Sequence, residues 1–515
     1  MLVDDSHGGS HDGSRSGSPK SFRELPYPTR ELKPDGPLSW QGYDAARARA
    51  AARTGEEESV VCGTAYIDGT PAVLIVFEFG FLGGSLGERT GDRLESAYEY
   101  ARAHRLPVVP LVATGGSRMQ EGMLALTQLQ RVARQSALTR EAGLPQIAVL
   151  RDPTTGGGWA TLGAGADVVL ALPGAQVGFA GSRVRPADAD PAAYTAEAQV
   201  AAGAADAVVH PEALRETLAL WLRLLSADAV GTAGTAGRAD APSPAGPAGP
   251  ATAAGADEGW STEAVPPPPP LSQPSPPSPA SPPSPPPPPP PLGIASLPTT
   301  GWDAVQHARS AQRPRAEAYL DAYFARRAGI SGDRCGGTDT GMACGFGERA
   351  GDGRTVAYAA QLGTATRPAG YRTAARLIRL ADRLGIPVLT LVDTPGAAND
   401  ADAERQGAGA AIADLFVAVA AARTPVTTLL IGEGGSGGAL ALAAPGNTWA
   451  TPDSYFSVIA PELAAAILKR PEAEVEATAD QLRIRPQDLV ELGVVRGIVG
   501  HPQLSRDVPQ SSRDL

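Results

Sequence analysis

The chain has 515 residues, of which 55 are acidic and 44 are lysine or arginine, so its formal net charge at pH 7 is −11. This acidity excludes nucleic acid as the main partner, and the length allows two or three domains with full cores. No run of about eighteen apolar residues occurs, so we expect no membrane span and a cytoplasmic protein.

The first part of the chain divides into a tail and a domain. Residues 1–22 are rich in Gly, Ser, Asp and His and are too polar to fold alone, so we predict a disordered tail. Residues 23–226 alternate short apolar runs with helical stretches, which is typical of an α/β domain. The predicted strands cover 72–79, 107–113, 145–152 and 166–172, and the predicted helices cover 91–105 and 123–142.

A composition break follows at residues 227–297, which are rich in Ala, Gly, Pro and Ser. Such a tract favours polyproline II structure, and we interpret it as a disordered spacer. The alternative is a docking site for a proline-recognising domain.

Residues 298–501 again read as an α/β domain, and residues 502–515 as a tail. The predicted strands are 355–362, 386–393, 425–432 and 448–452, and the predicted helices are 371–385 and 408–423.

The two α/β segments are similar to each other in sequence. "LPVVPLVATGG" (106–116) aligns with "IPVLTLVDTPG" (386–396), and "LPQIAVLRDPTTGGG" (144–158) aligns with "TPVTTLLIGEGGSGG" (424–438). Pro387 lies 280 positions after Pro107, and Pro425 lies 280 positions after Pro145. Two motifs in one ungapped register predict an internal duplication.

Each duplicated unit contains strand-to-glycine-to-helix junctions. Glycine permits positive φ and lets a ligand approach the backbone, while a helix N-terminus offers unpaired N–H groups for an oxyanion. Residues 434–438 also spell the G-x-S-x-G pattern of serine hydrolases. The equivalent of Ser436 in the first unit is Gly156, however, and His501 is the only histidine after Ser436. We therefore favour the main-chain amides over a serine nucleophile, and two copies suggest that negative charge develops at two places.

Cysteine and histidine give no sign of a metal site. Cys62, Cys335 and Cys344 form neither a paired zinc motif nor a disulfide framework, so we expect free buried thiols. The six histidines lack metal-binding spacing.

Longer strings carry a family resemblance. "VFEFGFLGGSLGERTG" (76–91), "VATGGSRMQEG" (112–122) and "GFAGSRV" (178–184) resemble the β subunit of bacterial acetyl-CoA carboxylase carboxyltransferase. "GWDAVQHARSAQRPR" (301–315), "LVDTPGAA" (391–398) and "IGEGGSGGALALA" (431–443) resemble the α subunit. The chain is similar to a β–α fusion whose halves are joined by the proline tract.

The resemblance implies two crotonase-type spiral domains related by duplication, with acyl-CoA on the first side and biotin on the second. It also implies transfer of a carboxyl group from biotin, held on a separate biotin carboxyl carrier protein charged by biotin carboxylase, to acetyl-CoA, giving malonyl-CoA. We expect a homo-oligomer. The sequence leaves open which acyl group is preferred and whether the halves pair within one chain or across a dimer.

The resemblance also implies site residues by position. The catalytic oxyanion positions are Gly156, Gly157, Gly437 and Gly438. The acyl-CoA positions are Gly115, Gly116, Arg118, Gln120, Glu121, Gly122, Gly158 and Arg183. The biotin-side positions are Gly396, Gly434, Gly435 and Ser436. On this basis we expect Gly157→Val or Gly438→Val to abolish turnover and leave the fold intact.

Two departures from the family pattern keep alternatives open. The family's β subunit usually carries a four-cysteine zinc ribbon, for which this sequence lacks the cysteines, so we expect no zinc. The usual "DTPGAYPG" is "DTPGAAND" at 393–400. The alternatives are a malonyl-thioester decarboxylase subunit of the same fold and an acyl-CoA-binding scaffold with impaired catalysis.

Overall fold

The computed structural model describes residues 22–31, 33–231 and 283–506, with side chains as far as residue 226 in the second range. The predicted N-terminal tail up to residue 21, the linker residues 232–282 and the tail residues 507–515 lie outside this description. Both α/β halves belong to one compact unit, made of residues up to 226 and from 283 onward.

The first half contains eight strands and six helices among the described residues. The strands are β1 (Phe22–Glu24), β2 (Val60–Ile67), β3 (Thr70–Phe77), β4 (Val108–Thr114), β5 (Ile147–Thr155), β6 (Val168–Ala171), β7 (Val177–Gly178) and β8 (Ala207–Val208). The helices are α1 (Tyr43–Thr54), α2 (Glu88–His104), α3 (Gly122–Glu141), α4 (Gly156–Gly158), α5 (Ala196–Ala201) and α6 (Pro211–Gly231). Helix α4 continues into a π-helical turn, Trp159–Gly163.

The second half contains eight strands and nine helices among the described residues. The strands are β9 (Phe324–Ile330), β10 (Met342–Arg349), β11 (Thr355–Gln361), β12 (Val388–Thr394), β13 (Val426–Gly435), β14 (Thr448–Ala450), β15 (Tyr455–Ser457) and β16 (Gly497–Ile498). The helices are α7 (Gly301–Arg309), α8 (Ala316–Tyr323), α9 (Pro368–Leu384), α10 (Ala401–Arg405), α11 (Ala408–Ala421), α12 (Ser436–Leu440), α13 (Pro461–Ile467), α14 (Val475–Gln481) and α15 (Pro486–Glu491).

Local sequence explains the best-predicted elements. Strand β4 is an unbroken buried run, as expected of a parallel strand covered on both faces. Helix α9 starts at Pro368, whose fixed φ suits the first turn, and ends at Gly385 with φ of 65°. By contrast, the alanine-rich stretch after Gly438 forms only the short helix α12 and not a long one.

The two sheets have the same topology. In the first, the order is β1-β2-β3-β4-β5-β6-β8, with β7 beside β5, and in the second it is β9-β10-β11-β12-β13-β14-β16, with β15 beside β13. The first two pairings of each order are antiparallel and the others are parallel. The prediction of two related α/β domains is confirmed.

Even an irregularity is repeated between the halves. The β4–β5 ladder pairs Leu111 with Val149, then shifts register before Thr114 pairs with Thr154. The β12–β13 ladder makes the same shift, with Thr394 paired to Gly434. All these positions keep the 280-residue spacing that the sequence motifs showed.

The halves pack directly on each other. Helix α3 of the first half packs against α11 and α12 of the second, and Gln130 Nε2 donates a hydrogen bond to the Ala443 carbonyl at 2.8 Å. A Cβ at Gly409 would lie 2.0 Å from Nε1 of the fully buried Trp159, so the absence of a side chain there lets α11 approach.

The last part of the predicted spacer packs against the second half. Thr427 Oγ1 donates to the Pro286 carbonyl at 2.6 Å, and Tyr323 Oη donates to the Pro287 carbonyl at 3.0 Å. Proline lacks an N–H, so its carbonyls are the groups that such a segment offers to hydroxyl donors. Residues 283–297 therefore lie on the second half in this structure.

The thiols differ from one another in exposure. Cys62 and Cys344 are buried, and burial raises the pKa of each thiol to about 12. Cys335 is exposed, which corrects the expectation of three buried thiols. The loop after Asp333 turns outward because that carboxylate accepts from the N–H groups of Cys335 and Gly337.

Within the described ranges, no helix combines the length and apolar character that crossing a bilayer requires. In the same ranges, no cluster of three or more Asp, Glu, His or Cys side chains is arranged to hold a metal ion. The expectation that zinc is absent stays a prediction.

Candidate active site

The central parallel strand of each half ends in a sharp turn into a short helix. After β5 the turn residue is Gly156, with φ of 66°, and after β13 it is Ser436, with φ of 53°. The two residues are 280 positions apart. Glycine adopts this left-handed conformation freely, whereas serine is strained there. The duplicated fold thus imposes one backbone geometry on two different residues.

A second turn lies beside each of these turns. The Gly116 N–H donates to Thr114 Oγ1 at 3.0 Å after β4, and the Gly396 N–H donates to Thr394 Oγ1 at 3.1 Å after β12. A Cβ at Gly156 would stand 3.1 Å from the Gly116 Cα. In the second half the close approach is at Gly435, where a Cβ would lie 2.0 Å from the Pro395 carbonyl oxygen. A glycine in each half thus lets its two turns touch and form one wall.

The walls of the two halves enclose a common cavity of about 510 Å³. The first half contributes Phe79, Gly115, Gly116, Arg118, Gln120, Gly156, Gly157, Phe179 and Arg183 among others. The second half contributes Gly396, Ala397, Asn399, Ser436, Gly437, Leu463 and Ile467 among others. One chain therefore brings both kinds of wall to a single cavity.

The buried side chain of Leu129 stands between the two glycine turns. A Cβ at Gly157 would lie 2.3 Å from Leu129 Cδ1, and a Cβ at Gly437 would lie 3.6 Å from the same atom. The Phe179 ring is 3.5 Å from the Gly437 Cβ position. The two turns thus face each other across a narrow, apolar space.

Several predicted site residues lie behind the cavity wall. They are Glu121, Gly122, Gly158, Gly434, Gly435 and Gly438. Glu121 accepts hydrogen bonds from Tyr43 and from the Glu88 N–H. A Cβ at Gly435 would lie 2.0 Å from the Pro395 carbonyl oxygen, so Gly435 serves the contact between turns. The other predicted positions border the cavity.

The side chain of Arg118 is held in a buried network. Its guanidinium forms ion pairs with Glu58 and Glu121 and donates to the Ser85 carbonyl at 2.8 Å. Burial alone would raise the pKa of Glu58, but the charge and hydrogen bonds of Arg118 and the Ser59 N–H outweigh it and lower this pKa to about 2. Arg118 thus orders the turn beside the cavity, and its charge is already neutralised. Arg183 is exposed at the cavity edge.

The expectation that Gly157→Val and Gly438→Val leave the fold intact needs a correction. A Cβ at Gly157 would lie 2.3 Å from Cδ1 of the buried Leu129 side chain, so valine there would disturb the packing. A Cβ at Gly438 would stand 2.4 Å from the Ala397 N atom and 2.6 Å from Tyr371 Oη. Because backbone cannot yield as a side chain can, this substitution would distort the fold, so it does not test the amide. At Gly437 the nearest atoms are 3.5 Å away, which makes it the cleaner position.

The hydrogen bonds also distinguish the amides of the first turn. The Gly156 N–H donates to the Phe179 carbonyl at 3.2 Å. The N–H groups of Gly157 and Gly158 follow in the first turn of the helix, where no intrahelical partner exists. Of these two residues Gly157 borders the cavity and Gly158 lies behind it, so the Gly157 N–H is the amide of this wall that remains for a ligand.

The serine-hydrolase alternative finds no support in the arrangement around Ser436. Among the described residues, no histidine or carboxylate hydrogen-bonds to its hydroxyl. The His501 Nε2–H donates to the Ala295 carbonyl at 2.7 Å. A nucleophile needs a base within hydrogen-bond reach, so the glycine interpretation is the one that the geometry favours.

We expect Ser436→Gly to stabilise the protein and to leave turnover within about two-fold of the wild type. Glycine removes the strain of positive φ, worth about 1 kcal/mol, partly offset by the greater entropy of the unfolded chain. Thermal unfolding and turnover measured side by side check this. Ser436→Ala is the matched control, since it removes the hydroxyl and keeps the strained backbone conformation. Loss of activity in both variants would instead support Ser436 as a nucleophile.

Sequence reasoning missed Glu58, Phe179 and Glu404. Phe179 lies within the "GFAGSRV" string (178–184) that carries Arg183, so its position was a usable signal. The Glu404 carboxylate contacts the Phe179 N–H across 225 positions of sequence. No local pattern encodes such a contact.

The fold and the site define a class of enzyme in which two related α/β halves each contribute a glycine turn to one cavity. The family described as acetyl co-enzyme A carboxylase carboxyltransferase-like matches residues 297–511, and the family described as carboxyl transferase domain matches residues 36–220. The chain belongs to the acetyl-CoA carboxylase carboxyltransferase family, with a β-type first half and an α-type second half.

Three relatives support this assignment. The chain is 38% identical over 499 residues to the acetyl-coenzyme A carboxylase carboxyl transferase subunits beta/alpha of Salinispora arenicola, covering 94% of this chain and 80% of that one. It is 35% identical to the protein of the same name from Saccharopolyspora erythraea, covering 89% and 74%. It is 31% identical to the probable biotin-dependent acyl-coenzyme A carboxylase beta3 subunit of Mycobacterium bovis, covering 91% and 85%. The predicted family is confirmed.

Proposed function

We propose that this chain transfers a carboxyl group from carboxybiotin, held on a separate carrier protein, to acetyl-CoA, forming malonyl-CoA. The observation that carries the proposal is the pair of glycine turns facing each other across one cavity shared by both halves. The enolate oxygen of a thioester and the ureido oxygen of biotin are the two sites at which such a transfer develops negative charge. Main-chain N–H groups aimed at each site can stabilise both.

The first-half wall is proposed as the acyl-CoA side. The exposed guanidinium of Arg183 at the cavity edge suits the phosphates of CoA. The N–H group of Gly157 is proposed to hold the thioester oxygen, a contribution of about 10² to 10³ in rate. Gly115 and Gly116 leave the backbone open to the ligand, and Arg118 holds their turn in place.

The second-half wall is proposed as the biotin side. Gly396, Ser436 and Gly437 border the cavity there without a charged side chain, which fits a neutral bicyclic urea. When bound, carboxylated biotin supplies the group that is transferred. The N–H group of Gly437 would hold the negative charge that remains, while Leu129 and Phe179 exclude water from the space between the turns.

The room between the turns favours a short acyl group. Leu129 and Phe179 lie within 3.6 Å of the Gly437 Cβ position and limit the space for an acyl chain. Acetyl-CoA is therefore the proposed substrate. A biotin carboxyl carrier protein and a biotin carboxylase are the proposed partners, and a homo-oligomer in the cytoplasm stays a prediction.

One assay tests the proposal. The purified chain is combined with biotin carboxylase, biotinylated carrier, ATP and radiolabelled bicarbonate, and incubated with acetyl-, propionyl- and butyryl-CoA. We expect carrier-dependent label in malonyl-CoA, with acetyl-CoA the best of the three. Absence of product, while a known carboxyltransferase pair works in the same mixture, would contradict the proposal.

The same preparation separates the alternatives. Release of carbon dioxide from malonyl-CoA without biotin would indicate the decarboxylase. Binding of acetyl-CoA in calorimetry without either reaction would indicate the scaffold.

A further inference from the structure

The first half crosses onto the second through a segment that we call the clasp segment, residues 177–185. Asn399 Nδ2 donates to the Val184 carbonyl at 2.9 Å. Glu404 Oε1 accepts from the Phe179 N–H at 2.7 Å and from the Ala180 N–H at 3.1 Å. The altered family loop and the helix α10 that follows it therefore hold the clasp segment in place.

The Glu404 carboxylate is buried in an unusual way. Its residue is fully buried, and no cation among the described residues lies within ion-pair distance of it. A buried charge without a counter-ion is costly, and such a group tends to take up a proton instead. Burial raises the pKa of Glu404 to about 7, against the opposing effect of the two N–H bonds.

Buried oxygen atoms without a hydrogen-bond partner indicate which oxygen of Glu404 would carry a proton. Glu404 Oε2 is buried without a partner, and so is Oε1 of Gln199, whose side chain interacts with this carboxyl group. Both atoms are hydrogen-bond acceptors, and the Gln199 side chain acts on the ionised carboxylate and lowers its pKa, against the larger effect of burial. A hydrogen on Oε2 would leave Oε1 free to accept from the clasp segment.

Other ionisable groups near α10 are few or already engaged. Arg185 lies on the clasp segment, donates to the Ala180 carbonyl and stacks on Tyr194, and it is the cation whose charge acts on Glu404. The other ionisable groups on the elements packed against α10 are carboxylates that already have a partner. Four of them form ion pairs: Asp190 and Asp402 with Arg405, Asp400 with Arg367, and Asp414 with Arg379. The fifth, Glu197, accepts a hydrogen bond from the Gly174 N–H.

The clasp segment touches both glycine turns. The Phe179 carbonyl accepts the Gly156 N–H at 3.2 Å, and the Phe179 ring approaches the Gly437 position to 3.5 Å. Moving Phe179 would therefore change the spacing of the two walls at which charge develops. A displacement of about 1 Å is enough to cost roughly 10² in rate.

We propose that Glu404 is a positioning residue which, in its protonated form, holds the clasp segment between the two glycine turns. Because the acid form is the one favoured by folding, its contribution is complete below about pH 4.3, the usual pKa of an unfolded glutamate. It is lost progressively as the pH rises to the folded pKa of about 7 and does not change further above it. The clasp segment should therefore loosen between about pH 4.3 and pH 7.

Hydrogen exchange of the full chain tests this without requiring catalysis. Protection factors are measured for the Phe179 and Ala180 amides between pH 4 and pH 9, corrected for the intrinsic exchange rate. In the wild type we expect protection to fall by up to about ten-fold per pH unit between about pH 4.3 and pH 7, where the open form has released one proton more than the closed form, and to level off above pH 7. In Glu404→Gln, whose amide imitates the protonated acid, protection should stay constant with pH. In Glu404→Ala it should be low throughout.

Kinetics of the same variants connect the clasp segment to the reaction, and this part rests on the proposed function. We expect kcat of the wild type, relative to Glu404→Gln, to decline as the pH rises toward 7 and to level off above it, with Glu348→Gln as an exposed control that follows the wild type. Glu404→Gln as poorly protected as Glu404→Ala, or exchange profiles identical in the wild type and Glu404→Gln, would overturn the inference. If no carboxylation occurs at all, the exchange data still decide it.

Discussion

Gly437→Ala is expected to lower kcat of carboxyl transfer by roughly 10²-fold while the midpoint of thermal unfolding changes by no more than a few degrees. The added methyl group would stand 3.5 Å from the Phe179 ring and 3.6 Å from Leu129, at ordinary contact distance, so the fold can accept it. It would occupy the space in front of the amide, however, and a ligand displaced by about 1 Å loses this much rate. Steady-state kinetics with saturating carrier measure the effect.

Gly329→Ala is the matched control for this substitution. Gly329 lies on the exposed face of β9, where the nearest atom to an added Cβ is the Cys344 carbonyl oxygen at 3.7 Å. It should retain wild-type kcat. An unchanged kcat in Gly437→Ala would show that the amide of this turn does not hold charge, and the proposed division of the cavity would have to be abandoned.

Glu58→Gln is expected to destabilise the first half by about 3 to 5 kcal/mol. The Glu58 and Arg118 side chains are 0% and 1% exposed, and loss of one partner leaves a buried charge with less compensation. Chemical unfolding measures the change. Glu348→Gln, which breaks the exposed pair with Arg326, should cost less than about 1 kcal/mol. Equal effects of the two variants would contradict the role of the buried pair.

The same pair predicts an acid sensitivity. The folded pKa of Glu58 is about 2, below the value of about 4.3 for an unfolded glutamate. The ionised carboxylate therefore adds stability above about pH 4.3, and this stability is lost as the pH falls toward 2. In Glu58→Gln the unfolding midpoint should depend less on pH in this range, which a pH series of thermal unfolding measures.

The sequence predicted the central elements of both sheets well. Strands β3 to β6 and β11 to β14, and helices α2, α3, α9 and α11, fall where the apolar periodicity placed them, because their burial is uniform and long enough to be read. The longer antiparallel strands β2, β9 and β10 were missed. The short strands β1, β7, β8, β15 and β16 were missed as well. Two or three residues carry no period, and their pairing depends on partners far along the chain.

The site shows the same division between local and distant information. The glycine turns were found because the conformation of the turn demands particular residues and the duplication repeats them at one spacing. The role of Arg118 was not foreseen, since its partner Glu58 lies 60 positions earlier. From the sequence alone, an arginine in a loop is predicted to be exposed and to bind a ligand. Only the folded structure shows which groups surround its side chain.

By itself the sequence determined the duplication, the α/β class of each half and the paired glycine turns, since these follow from periodicity and backbone conformation, which act over a few residues. Only the tertiary structure decided that both turns face one cavity and that the charge of Arg118 is neutralised by buried carboxylates. It also decided that Glu404 of the second half accepts hydrogen bonds from the first half. These depend on burial and on contacts between distant residues, such as Phe179 and Glu404, which lie 225 positions apart. Burial is a property of the packed chain, and it decides which charges are free to meet a ligand.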